Sequence, residues 1–272
     1  MAGNKKTRSQ HVLKPGISGF LLTCNFRERQ AVVEAYHLLN EAKDRLDAAE
    51  MGDNAKLALA TEAETVVEDV EAELGAELAA LKKERSFHQV QTNCKNTLFI
   101  KTFKTKWTPQ QLMDSIFEDI DTNRTHKCRY ICKFVPISSV VHATAAQIKS
   151  AVEALLKQQS EVNATFRIEI KVRCNSGINK EELINQLGVL VNNIQPGWTV
   201  NLDNPELVIY VDVLHLDATL AILKDFNRYR KYNLVEYATK IVGEGPPGLE
   251  EKPDSKQNGA EVKKEDAQDV QD

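Results

Sequence analysis

Residues 165–173 read Thr-Phe-Arg-Ile-Glu-Ile-Lys-Val-Arg. Apolar and charged residues alternate without a break: Phe166, Ile168, Ile170 and Val172 fall on one side of an extended chain, and Arg167, Glu169, Lys171 and Arg173 on the other. A period of two predicts a strand with one face in a core and the other in water. On either side of it the spacing changes to three and four. Upstream, Ala145, Ile148, Val152 and Leu155 make one helical stripe. Downstream, Leu183, Leu187, Leu190, Val191 and Ile194 make another, opened by an Asn179/Glu182 capping box and closed by Pro196-Gly197. After Asn204-Pro205, the run Leu207, Ile209, Val211, Val213 predicts a further strand. Strands separated by helices of this length predict βαβ crossovers, and so an α/β (α+β) fold with some parallel pairing.

The same reading extends toward the N-terminus. Residues 17–25 (ISGFLLTCN) predict a buried strand leading into a helix from near Arg27, with Val32, Ala35, Leu39, Ala42 and Leu46 as its stripe. Met51-Gly52-Asp53-Asn54 interrupts that stripe, and Val67, Val70, Leu74, Leu78 and Leu81 resume it, either as the second arm of a helical hairpin or within a solvated acidic insertion. Phe87–Gln91 and Thr97–Phe103 flank the turn-rich residues 92–96 and predict a hairpin. Thr108-Pro109-Gln110-Gln111 supplies an N-cap, a first-turn proline and a capping-box glutamine for a helix reaching about Asp121. Arg129–Val135 predicts a strand stopped by Pro136. The resulting division is a disordered basic arm 1–16, a first unit 17–103 containing an acidic helical insertion 41–85, a second unit 104–240, and a disordered acidic tail 241–272.

The 272 residues carry a formal charge of −4, which argues against a polyanionic partner until it is resolved by segment. Residues 41–85 hold a net −7 and 244–272 a net −5, so the remaining body holds 25 basic against 17 acidic residues, a net +8. Local charge sets the field at a surface, so that body suits a polyanion. No apolar run approaches the roughly 20 residues that span a bilayer, and residues 1–14 are polar and basic, so a soluble intracellular protein without a membrane partner is expected. Five scattered cysteines, Cys24, Cys94, Cys128, Cys132 and Cys174, are expected as reduced thiols.

His126, Cys128 and Cys132 suggest zinc, but no second Cys or His pair stands at a spacing that would close a tetrahedral shell, and no metal is expected. Gly243–Gly248 matches G-x-G-x-x-G, yet two prolines remove backbone N–H groups from that loop and no helix follows to hold a phosphate, so no cofactor is expected. G-x-S-x-G, H-E-x-x-H and the P-loop are absent, and the six histidines are dispersed, which leaves catalysis without a visible seat. What remains is basic residues interleaved with aromatics. Arg129 and Lys133 are expected on one strand face, Lys171 and Arg173 on another, Lys180 in the first turn of a helix, and Arg228, Tyr229, Arg230, Lys231 and Tyr232 in the densest cluster. Cations that pair with phosphates beside tyrosines that stack on unpaired bases suit RNA.

The segment TFRIEIKVRCNSGINKEELINQLGVLVNN, with VNLDNPELVIYVDV after it, resembles a THUMP domain. Three further blocks, GFLLTCNFRERQAVVEAYHLLNE, VPISSVVHA and KDFNRYRKYNLVE, extend the resemblance over about residues 17–237 to the THUMP-domain adaptors of tRNA cytidine acetylation. The resemblance implies an N-terminal ferredoxin-like domain followed by a THUMP domain. It further implies a non-catalytic adaptor that presents serine and leucine tRNAs to a separate RNA cytidine acetyltransferase, which uses acetyl-CoA and ATP to form N4-acetylcytidine in the D arm. RNA contacts are then implied at Arg129, Lys133, Lys171, Arg173 and Lys180, with Arg228, Arg230 and Lys231 facing either RNA or the acetyltransferase. A nuclear or nucleolar location is implied, and a cytoplasmic one is compatible. In one departure, Asn201 stands where the family turn begins with aspartate, so a capping carboxylate is lost or replaced by Asp203. Two readings of other classes compete: an RNA-modifying transferase with a cryptic site, and a protein-docking scaffold with secondary RNA binding.

Overall fold

A computed structural model describes residues 12–58 and 86–243. The first module comprises β1 (Gly19–Cys24), α1 (Glu28–Ala58), β2 (Phe87–Gln91), β3 (Thr97–Thr102), α2 (Pro109–Asn123) and β4 (Ile131–Ile137). Its strands pair antiparallel in the order β2-β3-β1-β4, so each βαβ unit has another strand inserted between its own two. That is the ferredoxin-like arrangement. The α1 stripe (Ala31, Ala35, Leu39) and the α2 stripe (Leu112, Ile116, Ile120) are fully buried with Phe20, Phe99 and Phe134 in one core. Thr108 and Gln111 form the reciprocal capping box that starts α2.

Four details depart from the sequence pattern. First, α1 runs through Met51–Asn54 to Ala58. One glycine costs a helix only about 1 kcal/mol, and the turns just before it are anchored. Arg45 donates to the Ser115 carbonyl at 3.1 Å, and the Trp107 indole donates to Asp47 at 2.8 Å. Residues 41–58 are thus the distal half of a ferredoxin-like helix, and the expected second arm of the hairpin lies outside the described residues. Second, Pro136 lies within β4, opposite Phe20, where an edge strand pairs on one side only and tolerates the missing N–H. Third, the boundary expected after residue 103 falls inside the first module, because the ferredoxin-like sheet is completed only by α2 and β4. Fourth, part of the expected basic arm is structured: Val12 bridges Gln91, the Leu13 amide donates to the Gln91 carbonyl at 2.9 Å, and Leu13 is buried. Residues 1–11 lie outside the described residues.

The second module comprises β5 (Ser139–His142), α3 (Ala145–Lys157), β6 (Thr165–Arg173), α4 (Lys180–Ile194), β7 (Thr199–Val200), β8 (Leu207–Leu214) and β9 (Asp217–Lys224). A 3-10 turn (Arg230–Tyr232) and α5 (Leu234–Gly243) follow. The sheet order is β5-β9-β8-β6-β7; β6 runs parallel to β8 and β7, whereas β9 is antiparallel to β8 and β5. Asn179 caps α4 by accepting from the Glu181 and Glu182 amides, but Glu182 accepts from Gln186 instead of returning to the cap, so only half of the expected box forms. Strand β9 and helix α5 were not anticipated. Helix α5 takes in residues 241–243 of the expected tail, and residues 244–272 lie outside the described residues.

One face of this sheet, with Phe166, Ile170, Ile209, Val211 and Val213, is covered by the apolar stripes of α3 and α4. The other, with Val208, Tyr210, Leu214, Ala221 and Leu223, is continuous with the core of the first module. Strand β8 is therefore buried along its whole length. Helix α5 returns to α2, where Tyr237 donates to Asp121 at 2.6 Å and Arg124 donates to the Ile241 carbonyl at 3.1 Å.

Close approach of β1 to β3 leaves no room for a side chain at Gly19, whose β-carbon would collide with the Ile100 carbonyl. Gly19→Ala is expected to lower stability by about 2–3 kcal/mol, read as a shift of the urea midpoint at constant slope. A change below about 0.5 kcal/mol, the scatter of neutral surface substitutions, would contradict the packing described.

Candidate nucleic-acid interface

The charged face of β6, expected in water, is half-buried and reaches the first module at Arg173. Arg173 donates to Asp212 of β8 at 3.2 Å and, across the module boundary, to the Thr97 hydroxyl at 3.2 Å. Asp212 is 0% exposed, and its second oxygen accepts from the Tyr210 hydroxyl at 3.0 Å. Burial pushes the Asp212 carboxyl up, against the pull of Arg173 and Lys171. Arg167 donates to the Leu202 carbonyl at 2.8 Å and lies over the Phe226 ring at 5.4 Å. Lys171 sits 5.2 Å from the centre of the Tyr210 ring. Burial first, and the charge of Lys133 next, push the Lys171 ammonium down to about 8. Lys133 belongs to β4, in register with Thr23, and its backbone bridges Asn233.

That bridge sets the 230–232 turn beside β4. Arg230, Lys231 and Tyr232 all have positive φ, between 50° and 59°, a conformation that disfavours side chains. Arg230 and Lys231 are exposed, whereas Tyr229 and Tyr232 point inward. Tyr229 stacks on Phe117 with ring centres 3.7 Å apart, Tyr237 meets the same ring edge-on, and the Tyr232 hydroxyl donates to the Lys224 carbonyl at 2.9 Å. The two tyrosines expected to meet bases are core residues.

The remaining candidates are dispersed. Arg228 is held toward Asp121 at 3.4 Å and, with Arg124 and Lys240, lines a cleft of about 210 Å³ between α2 and α5. Arg129 lies in the bend before β4 and so shares no strand face with Lys133. The Arg129, Tyr130 and Ile131 amides all donate to the Glu34 carboxylate, at 2.9, 2.9 and 3.2 Å, which leaves the Arg129 side chain exposed beside the Tyr130 ring. Lys180 is exposed in the first turn of α4, away from any ion pair among the described residues. The Asn201 side chain accepts from the Asp203 and Asn204 amides at 3.1 and 3.0 Å, so an amide oxygen makes the turn without a carboxylate. Lys133 and Lys171 are thus close enough to act on one another, Arg173 is paired with Asp212, and the exposed Arg230 and Lys231 stand on the turn leading to Asn233, which bridges Lys133. The sequence offered no signal for this, because the grouping depends on how the modules pack.

Among the described residues no cluster of His, Cys, Asp or Glu is arranged to hold a metal, and no helix is long and apolar enough to cross a membrane. Burial pushes the Cys128 thiol up to about 12, and its sulfur faces the Ile131 carbonyl at 3.8 Å.

The architecture defines a ferredoxin-like module joined to a mixed sheet, with Lys133 of the one and Lys171 of the other acting on each other. The second module matches the THUMP domain family over residues 142–223, a module associated with RNA binding and tRNA modification. The chain is 34% identical over 232 residues to THUMP domain-containing protein 1 of Bos taurus, with 82% of this chain and 64% of that protein covered. It is 32% identical over 259 residues to the Mus musculus protein of the same name, with 87% and 73% covered. The solution structure of the THUMP domain of THUMP domain-containing protein 1 aligns with 28% of this chain and 81% of that one, at 29% identity and a TM-score of 0.26. The chain belongs to the THUMP domain-containing protein 1 family. It spans just under two thirds of the bovine relative's length.

Because the folded Lys171 is depressed to about 8, the unfolded chain binds more protons between that pH and the ordinary lysine range. Stability must therefore rise with pH across this window. Lys171→Met, which removes the buried charge, is expected to stabilise the protein at pH 7 and to flatten that rise, as read by urea unfolding at pH 7 and 9.5. Equal slopes for the two proteins would show that Lys171 is solvated.

Proposed function

We propose that this chain is a non-catalytic tRNA-binding adaptor that presents serine and leucine tRNAs to an RNA cytidine acetyltransferase for N4-acetylcytidine formation in the D arm. The observation that carries the proposal is the group at the junction rim. Lys133 and Lys171 repel one another, Lys171 is partly desolvated, and the exposed Arg230 and Lys231 stand on the turn beside them. A phosphate placed there relieves the repulsion and is attracted by all of them. Family membership supports the tRNA assignment, and the sequence resemblance supports the acetylation step.

On this reading the rim holds RNA, Lys180 and Arg129 extend the positive field from other elements, and Arg228, already turned toward Asp121, suits the acetyltransferase better than a phosphate. Arg173 supports the interface from below by fixing Asp212 rather than by touching RNA. The adaptor acts where its acetyltransferase resides, which we take to be the nucleus or nucleolus; imaging of the tagged chain in cells checks this.

With about six phosphates neutralised, the log–log salt slope of tRNA affinity is expected near −5. Lys133→Glu with Lys231→Glu is expected to reduce that slope by about two, one for each lost contact, without unfolding the protein. Arg173→Glu, in contrast, is expected to fail as a folding mutant, at a cost of roughly 3–5 kcal/mol for a buried carboxylate left unpaired. The purified chain with tRNA, acetyl-CoA and ATP is expected to yield no N4-acetylcytidine until an acetyltransferase is added. Product from the chain alone, or tRNA affinity indifferent to salt, would overturn the proposal.

A further inference from the structure

A separate surface lies at the start of α1. The Cys24 amide donates to the Asn96 carbonyl at 3.1 Å and the Asn25 amide to the Tyr130 carbonyl at 3.4 Å, which brings the turn before α1, the β2–β3 turn and the bend before β4 together. At their meeting point Phe26 stands 75% exposed with φ 59°, its ring turned away from the core and the Lys95 ammonium 6.0 Å from its centre. Residues 26–30 with Lys95 and Asn96 line an open cleft of about 560 Å³. Beside it, Tyr130 lies between the guanidinium groups of Arg27 and Arg129, at 6.0 and 5.8 Å from its ring centre.

The carboxylates in this neighbourhood are engaged with backbone. Glu28 accepts from the Asn96 amide at 2.8 Å, and Glu34 accepts from the Arg129, Tyr130 and Ile131 amides. Arg27, Arg29, Lys95 and Arg129 are left out of the ion pairs formed among the described residues. Lys95 stands beside the exposed Phe26 ring, and Arg27 and Arg129 stand beside the Tyr130 ring. They are the elements of a single-strand nucleic-acid platform, in which a ring stacks on a base and cations follow the backbone.

We infer that Phe26, flanked by Arg27, Arg29 and Lys95, is a binding site for an unpaired nucleotide, distinct from the junction rim. The inference rests on the tRNA-binding reading, and it adds that the first module takes a single-stranded part of the RNA. The base stacks on Phe26, and the flanking cations hold its phosphates.

The test uses the full chain and two synthetic RNA hairpins with the same stem, one blunt and one with a four-nucleotide unpaired overhang. Polyglutamate serves as an acidic-polypeptide probe. The wild-type chain is expected to prefer the overhang. Phe26→Ala is expected to weaken overhang binding about five- to a hundredfold, to leave the blunt hairpin unaffected, and to keep the melting temperature, since the ring supports no core. Phe26→Trp is expected to restore the preference. Arg27→Gln and Arg29→Gln are each expected to lower the salt slope on the overhang by about 0.7. Blunt and overhang hairpins bound alike by the wild type, or an unchanged Phe26→Ala, would overturn the site and leave the adaptor reading intact. Loss of binding to both hairpins in the wild type would overturn both. A Phe26→Ala defect seen only with polyglutamate would make the surface a protein-docking site and sink the inference.

Discussion

A carboxylate without solvent contact, Asp212, lies where the two sheets face one another, and much of the architecture follows from the need to satisfy it. It accepts from Arg173 on the neighbouring strand and from Tyr210 on its own, and the same guanidinium reaches Thr97 in the first module. Removing one partner of a buried pair leaves an uncompensated charge that costs about 3–5 kcal/mol, so the separation of the modules is tied to the integrity of this group. Around it, the even-numbered residues of β8 join the first core and the odd-numbered ones join the second. The protein accordingly behaves as two layered modules sharing a central strand rather than as two units on a linker.

This packing decides which cations remain available. A strand carrying Arg167, Lys171 and Arg173 on one face looks like an open basic platform, yet here Arg167 is engaged by Leu202 and Phe226, Arg173 by Asp212 and Thr97, and Lys171 lies half-buried over Tyr210. The exposed positive charge of this region lies instead on the turn that carries Arg230 and Lys231. Net charge conceals this, since the chain is acidic overall. It also conceals that Glu28 and Glu34 lie among basic residues with their oxygens turned to backbone amides. Their charge contributes to the far field while the groups closest to solvent are cations.

Periodicity therefore carried the elements further than the site. The alternation over 165–173 and the stripes of α3 and α4 were legible because each element buries one face in its own module, a local signal. Whether the polar face meets water or another module leaves no trace in a pattern of period two, and the wet face expected for Lys171 and Arg173 is in fact half-buried. The break expected at Met51–Asn54 rests on an interrupted apolar stripe, whereas Arg45 and Asp47 anchor α1 to residues some 60 to 70 positions away. The tyrosines at 229 and 232 illustrate the same limit: an Arg-Tyr-Arg-Lys-Tyr run suits RNA on composition, but the rings fill a core with Phe117 and Tyr237 that only the fold assembles. Phe26 is the converse, an aromatic residue in an apolar-looking block that the fold turns outward.

The aromatic cluster also explains how the 230–232 turn persists. Consecutive side-chain-bearing residues at positive φ cost about 1–2 kcal/mol each, and an exposed basic loop has no reason of its own to accept that. Here Tyr229 and Tyr232 are locked on either side of the turn by Phe117, Tyr237 and the Lys224 carbonyl, while Asn233 is bridged to β4. With these anchors fixed, Arg230 and Lys231 are exposed. A strained turn held by buried rings thus keeps Arg230 and Lys231 at the surface.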